Sequence, residues 1–136
     1  MELIIIALLV CGVFSSEGTP EEVEKYIKEG GLVIVKYYKE SCPFCVKIVK
    51  EFQKFENDLK YLGDRVHVFD IDCPKHKEFC DKQDINSFPT IVPYYHKWMY
   101  EELRSPREVY SWKLQTLEIL NSPLPQKYIG KTKHVV

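Results

Sequence analysis

Leu32-Val33-Ile34-Val35-Lys36-Tyr37-Tyr38 runs through Lys39-Glu40-Ser41 into Cys42-Pro43-Phe44-Cys45, and this stretch decides the fold. Its first seven residues are β-branched or aromatic with almost no alternation, the pattern of a central strand covered on both faces. Lys36 is the one charged anomaly in it. Beyond Pro43, Ile48, Val49, Phe52, Phe55, Leu59 and Leu62 recur at helical steps up to the stop signal Gly63, which predicts one long amphipathic helix from Pro43 to Leu62. The two cysteines therefore fall at a strand-to-helix junction. There the helix dipole and free backbone N–H groups favour a thiolate on Cys42, and the two-residue spacer lets Cys45 reach back to it. Cys42 is expected to be the exposed, low-pKa thiol and Cys45 the shielded one. The same spacing suits one knuckle of a zinc site, which would need a second knuckle, or an inert structural disulfide.

Working outward, Thr19-Pro20-Glu21-Glu22 is a capping box with proline at the first helical position, and the helix it opens stops at Gly30-Gly31. Val66 to Ile71 reads as a second buried strand, Lys75 to Lys82 as a short helix, and Thr90 to Tyr95 with Met99 to Leu103 as a strand pair. Pro93 suggests a bulge or an edge position in that pair. Ser105-Pro106-Arg107-Glu108 repeats the capping pattern and predicts a last helix with Val109, Trp112, Leu117 and Leu120 inward. The order α-β-α-β-α-β-β-α predicts an α/β fold, a mixed central sheet with helices on both faces.

The 136 residues suit one core, and the net charge of -1 leaves no excess field to argue for nucleic acid, an anionic membrane surface or an acidic substrate, so no nucleic acid is expected and partner choice must come from a local site. Leu3 to Phe14 is an apolar run of twelve residues before Ser15 and Ser16, well short of the roughly 20 that span a bilayer. It reads as a signal peptide over residues 1–16, which predicts the endoplasmic reticulum lumen or secretion and no stable membrane insertion. Removal of Cys11 with it leaves Cys42, Cys45, Cys73 and Cys80, an even set suited to an oxidising compartment. Residues 122–136 lack apolar periodicity and a Lys-Asp-Glu-Leu type signal, and read as a flexible tail. The four histidines show no metal-ligand spacing and there is no Gly-rich phosphate loop, so no metal is expected.

Tyr37 through Cys45, followed 44 residues after Cys45 by Phe88-Pro89-Thr90, resembles the thioredoxin superfamily. With Phe69-Asp70-Ile71-Asp72-Cys73 and Glu78-Phe79-Cys80 between them, the sequence is most similar to a catalytic domain of protein disulfide isomerases, over roughly Leu32 to Leu120. The resemblance implies a thioredoxin fold over residues 19–121, thiol-disulfide exchange with cysteine-containing protein substrates, and no cofactor beyond the redox-active disulfide, with glutathione as a candidate redox partner. It implies Cys42 as nucleophile and Cys45 as resolving thiol. It also implies a cis Pro89 facing them, substrate contacts from Pro43, Phe44, Phe88 and Pro89, a structural disulfide between Cys73 and Cys80, and an arginine at Arg107 that swings toward the site.

Three departures stand out. Ser41 replaces the usual tryptophan, the Pro43-Phe44 spacer is similar to that of glutaredoxins and bacterial periplasmic oxidants, and Lys36 occupies the place of a buried acid. Lys36 is read as a snorkelling side chain, a cation that favours thiolate, or a neutral base. Beside the oxidoreductase stand two other readings: a noncatalytic chaperone-like binding module and a glutaredoxin-like, glutathione-dependent reductase.

Overall fold

The computed structural model describes residues 17–122 and 133–134. Thr19 caps the first helix, α1 (Pro20–Glu29): its hydroxyl accepts from the Glu22 N–H at 3.2 Å, and the Glu22 carboxylate accepts from the Thr19 N–H. Gly30, at φ 88°, ends α1 in the left-handed conformation that glycine adopts at no steric cost. Strand β1 (Leu32–Tyr38) follows, buried from Leu32 to Tyr37, Lys36 included.

β1 lies between β2 (Val66–Asp72), to which it is parallel, and β3 (Thr90–Tyr95), to which it is antiparallel. β4 (Trp98–Met99) and β5 (Lys133–His134) complete a five-stranded mixed sheet of order β2-β1-β3-β4-β5. The reading of residues 122–136 as a flexible tail otherwise lies outside the described residues, as does the leader at residues 1–16. On one face of the sheet, Val33, Val35 and Tyr37 of β1 pack with Val23 and Ile27 of α1 and Phe79 of α3 (Lys77–Lys82). On the other, Leu32 and Ile34 meet Ile48, Phe52 and Phe55 of α2 (Pro43–Asp58) and Trp112 of α4 (Val109–Asn121). The Trp112 ring lies 5.6 Å from Phe55 and edge-on 6.0 Å from Phe52. This is the α/β arrangement the element order predicts.

Local differences from the sequence reading have identifiable causes. α2 stops at Asp58; Leu59 and Leu62 reach the core through a separate 3-10 segment, Lys60–Arg65, broken at Gly63 with φ 57°. Val49, one step off the Ile48–Phe52–Phe55 stripe, is 39% exposed. Leu117 likewise points outward, and Thr116 is buried in its place, its hydroxyl satisfied by the Trp112 carbonyl at 2.7 Å. The last helix begins at Val109, with Glu108 at the N-cap position but its side chain making no capping bond; the Val109 N–H donates instead to Glu51 of α2 at 3.3 Å. α3 begins two residues later than expected. Regular β4 pairing ends at Met99, although the N–H groups of Tyr100 and Leu103 still donate to the carbonyls of Pro93 and Ile91. Pro93 is thus neither at the sheet's edge nor bulged out of the β1–β3 register; its absent N–H faces the side where the β4 ladder has ended.

Cys73 and Cys80 are joined, Sγ–Sγ 2.11 Å and Cα–Cα 5.8 Å, tying the end of β2 to α3. Nearby, Tyr37 and Tyr94 share a buried hydrogen bond of 2.6 Å, and the Tyr94 hydroxyl donates onward to Gln83 Oε1 at 2.9 Å. Burial holds both phenols above their ordinary range, so both stay protonated. Tyr94→Phe removes the shared hydroxyl and leaves both neighbours without it. Urea unfolding should show a loss of about 1–3 kcal/mol with an unchanged m value; an unchanged midpoint would mean that the network adds nothing to stability.

Candidate active site

Burial of β1 ends at Tyr38, and the chain turns through Lys39–Ser41 to place Cys42 at the N-cap of α2, with φ -98° and ψ 112°. Pro43 occupies the first helical position, where its missing N–H costs no hydrogen bond. The Cys42 sulfur accepts from the Cys45 N–H at 3.1 Å, as a capping side chain does. On its other side the thiol donates to the Phe88 carbonyl at 3.5 Å. Phe88–Pro89 is cis, and Thr90 steadies the preceding turn by donating to the Ser87 carbonyl at 2.7 Å. Cys42, Cys45, Phe88 and Pro89, distant in sequence, meet because the antiparallel β1–β3 register brings Thr90 opposite Tyr37.

Both cysteines are free thiols and both are 5% exposed, so Cys42 is not the more exposed of the two. What separates them is charge stabilisation. Burial pushes the Cys42 thiol up, but the Cys45 thiol, the N–H groups of Cys45 and Phe44, and the Lys39 ammonium outweigh it and hold Cys42 below the usual thiol range. Burial and the bond to the Cys42 sulfur push Cys45 up to about 11, against an opposing pull from the Lys39 backbone and the Lys36 ammonium.

Lys36 does not snorkel to water. Its side chain is 7% exposed, its Nζ lies 3.5 Å from Asp70 Oδ1, and it sits over the Phe52 ring at 4.7 Å. The β1–β2 register sets Lys36 directly opposite Asp70. Asp70 was not a sequence candidate, though two opposite charges inside two apolar strands expected to be neighbours were a usable signal. The Arg107 guanidinium lies 5.9 Å from the centre of the exposed Phe44 ring. The Phe88 carbonyl, a backbone group, had no side-chain signal. No cluster of three or more His, Cys, Asp or Glu residues arranged for a metal occurs among the described residues.

Iodoacetamide labelling of the reduced protein should therefore be confined to Cys42 at and below about pH 8.5, the ordinary thiol pKa. Cys45 labelling should rise only as the pH approaches about 11. Peptide mapping across pH tests this, and equal labelling of both at neutral pH would reject the assignment.

A mixed sheet with a Cys-Pro-Phe-Cys helix start facing a cis proline is open to comparison with known proteins. A protein disulfide-isomerase A6 assigned as probable in Medicago sativa is 32% identical over 73 residues, 54% of this chain and 20% of that protein. The chain thus spans about a fifth of that relative. Among solved structures, the zinc-bound form of human ERp44 superposes with a TM-score of 0.71 at 18% identity, over 79% of this chain and 32% of that one. The first thioredoxin domain of mouse protein disulfide-isomerase A4 does so with a TM-score of 0.65 at 19% identity, over 76% of this chain and 75% of that one. Those two likenesses bear on the fold. The family model described as Thioredoxin matches residues 15–110, the span from α1 through β4 that carries both cysteines and the cis proline, and on that match this chain belongs to the thioredoxin family.

Proposed function

We propose that the protein is a thiol-disulfide oxidoreductase acting on cysteine-containing proteins of the secretory pathway, in the manner of a protein disulfide isomerase domain. The observation that carries this is the unequal pair itself: a thiol held toward thiolate at a helix start, with a second, protonated thiol bonded to it.

The Cys42 thiolate attacks one sulfur of a client disulfide, forming a mixed disulfide and expelling the other client sulfur as thiolate. Cys45 then loses its proton and attacks the Cys42 sulfur, which expels the second client thiolate and leaves the Cys42–Cys45 disulfide. Two electrons pass to the client, and the client thiolates take up protons. The reverse sequence oxidises a client dithiol. No bound cofactor is needed, because the dithiol itself carries the two electrons and becomes the Cys42–Cys45 disulfide when it gives them up, and glutathione serves as an external redox partner. Phe88 presents its carbonyl and Phe44 its exposed ring to the client. Lys36 contributes by its field: the ammonium favours the Cys45 thiolate that must form when the mixed disulfide is resolved. The leader-like residues 1–16 and the likeness to disulfide isomerases support a lumenal or secreted location.

Cys45→Ser should accumulate mixed disulfides with client proteins on nonreducing gels, whereas Cys42→Ser should form none. Equal trapping by both would reverse the roles, and trapping by neither would leave the protein without exchange activity. Lys36→Met should slow the stopped-flow release of a mixed disulfide about threefold or more near neutral pH, because less Cys45 is thiolate, while moving the potential of the Cys42–Cys45 couple little. It should also lower stability by removing the Lys36–Asp70 ion pair, and adding Asp70→Asn should recover part of that loss while resolution stays slow. An unchanged rate of resolution in Lys36→Met would assign Lys36 to packing alone.

A further inference from the structure

The surface around Cys42 combines two features that the exchange chemistry alone does not require. The first is apolar: Phe44 is 57% exposed and Val46 66% exposed, both on the first turn of α2 beside the nucleophile. The second is a set of cations resting on aromatic rings. Lys47 Nζ lies 5.2 Å and the Arg107 guanidinium 5.9 Å from the centre of Phe44, and Lys39 Nζ lies 5.5 Å from the centre of Phe88. None of these three cations has a carboxylate within ion-pair distance among the described residues, although Lys54, Lys75, Lys77, Lys82, Arg104 and Lys113 all do. Their charge is local, because the chain as a whole carries -1. Arg107 also borders a cavity of about 230 Å³ beside Pro89, shared with Arg104 and with Glu102, which pairs with neither arginine.

We infer that this rim selects client segments in which the attacked cysteine is flanked by acidic residues together with an apolar one. The inference rests on the oxidoreductase reading and names its substrate class. Unpaired cations around a nucleophile favour approach of an anionic chain and hold it through partly desolvated ion pairs, which act on encounter and on specificity. Glutathione shares the anionic groups but has no apolar side chain to cover Phe44 and Val46. An acidic peptide segment satisfies both features.

The test separates binding from exchange. In the full chain with Cys42→Ser and Cys45→Ser, fluorescence anisotropy would be measured with peptides of equal length carrying one leucine and a central serine in place of cysteine, flanked by glutamates, glutamines or lysines. The glutamate peptide should bind about tenfold more tightly than the lysine peptide at low ionic strength, a ratio three partly exposed ion pairs can supply. The ratio should fall below about threefold in about 0.5 M salt, and likewise when Lys39→Gln, Lys47→Gln and Arg107→Gln are combined, with far-UV circular dichroism confirming that this variant is folded. Equal binding of the three peptides, or a preference that survives the triple substitution, would overturn the inference. With Cys42 restored and Cys45→Ser kept, the corresponding cysteine peptides, supplied as their homodisulfides, would be tested for mixed-disulfide formation with release of one peptide thiol. Acidic preference in binding with no exchange on any peptide would retain the surface and reject the oxidoreductase reading, whereas exchange on all peptides at one rate with no binding preference would do the opposite. Glutathione disulfide reacting faster than the acidic peptide, and slowing more than that peptide when Lys47→Gln and Arg107→Gln alone are combined, would assign the cations to a small-molecule site and overturn the peptide assignment.

Discussion

β1 is covered on both faces along almost its whole length, and every feature of the active site follows from that constraint. A strand so placed admits no water to a charged side chain, so Lys36 needs a counter-charge within the sheet, and the parallel register with β2 supplies Asp70. The same burial leaves the exit from β1 as the first point where the chain meets solvent. Cys42 stands there, with the start of α2 as its electrostatic environment. On the opposite flank, pairing with β3 brings the Phe88 carbonyl to the sulfur. The buried strand fixes where the nucleophile is, what charge lies beneath it and which backbone faces it.

The two core layers divide the mechanical tasks. On the α2 and α4 side, the aromatic contacts of Phe52, Phe55 and Trp112 hold the helix that carries both cysteines, and Glu51 of that helix receives the first N–H of α4. On the α1 and α3 side, Tyr37, Tyr94 and Gln83 form a polar chain inside an apolar layer, next to the Cys73–Cys80 bridge. Gly18 extends the β2 edge by donating to the Asp70 carbonyl at 2.9 Å, and a Cβ there would stand 2.6 Å from the Phe69 ring. Close backbone approach at the strand carrying Asp70 thus depends on that glycine.

Much of this was legible in the residues because burial and periodicity are local signals. The unbroken apolar run of β1, the cysteine spacing at the start of a helical pattern and the Phe88-Pro89-Thr90 segment led to the α/β sheet and to the residues that meet at the site. What escaped was pairwise or polar. Asp70 becomes informative only once β1 and β2 are set in register. Thr116 was passed over for Leu117 because a hydroxyl that bonds back to its own helix buries as readily as an apolar group. The capping pattern at Ser105 sets the start of α4 too early because the first N–H of that helix finds its acceptor on another helix rather than on a local cap. Exposure misled at Cys42, where hydrogen bonds and a nearby lysine, rather than access to water, set the thiol apart.

The contact between the Cys42 thiol and the Phe88 carbonyl joins two events usually considered separately. A thiol can donate to that oxygen, but a thiolate cannot, so loss of the proton from Cys42 also vacates the acceptor. The carbonyl is then free to receive an N–H from an incoming chain laid alongside residue 88. In the proposed chemistry, arming the nucleophile and unlatching the backbone edge on which a client would align are consequently one deprotonation step, and in the protonated site that carbonyl is taken by the protein's own sulfur.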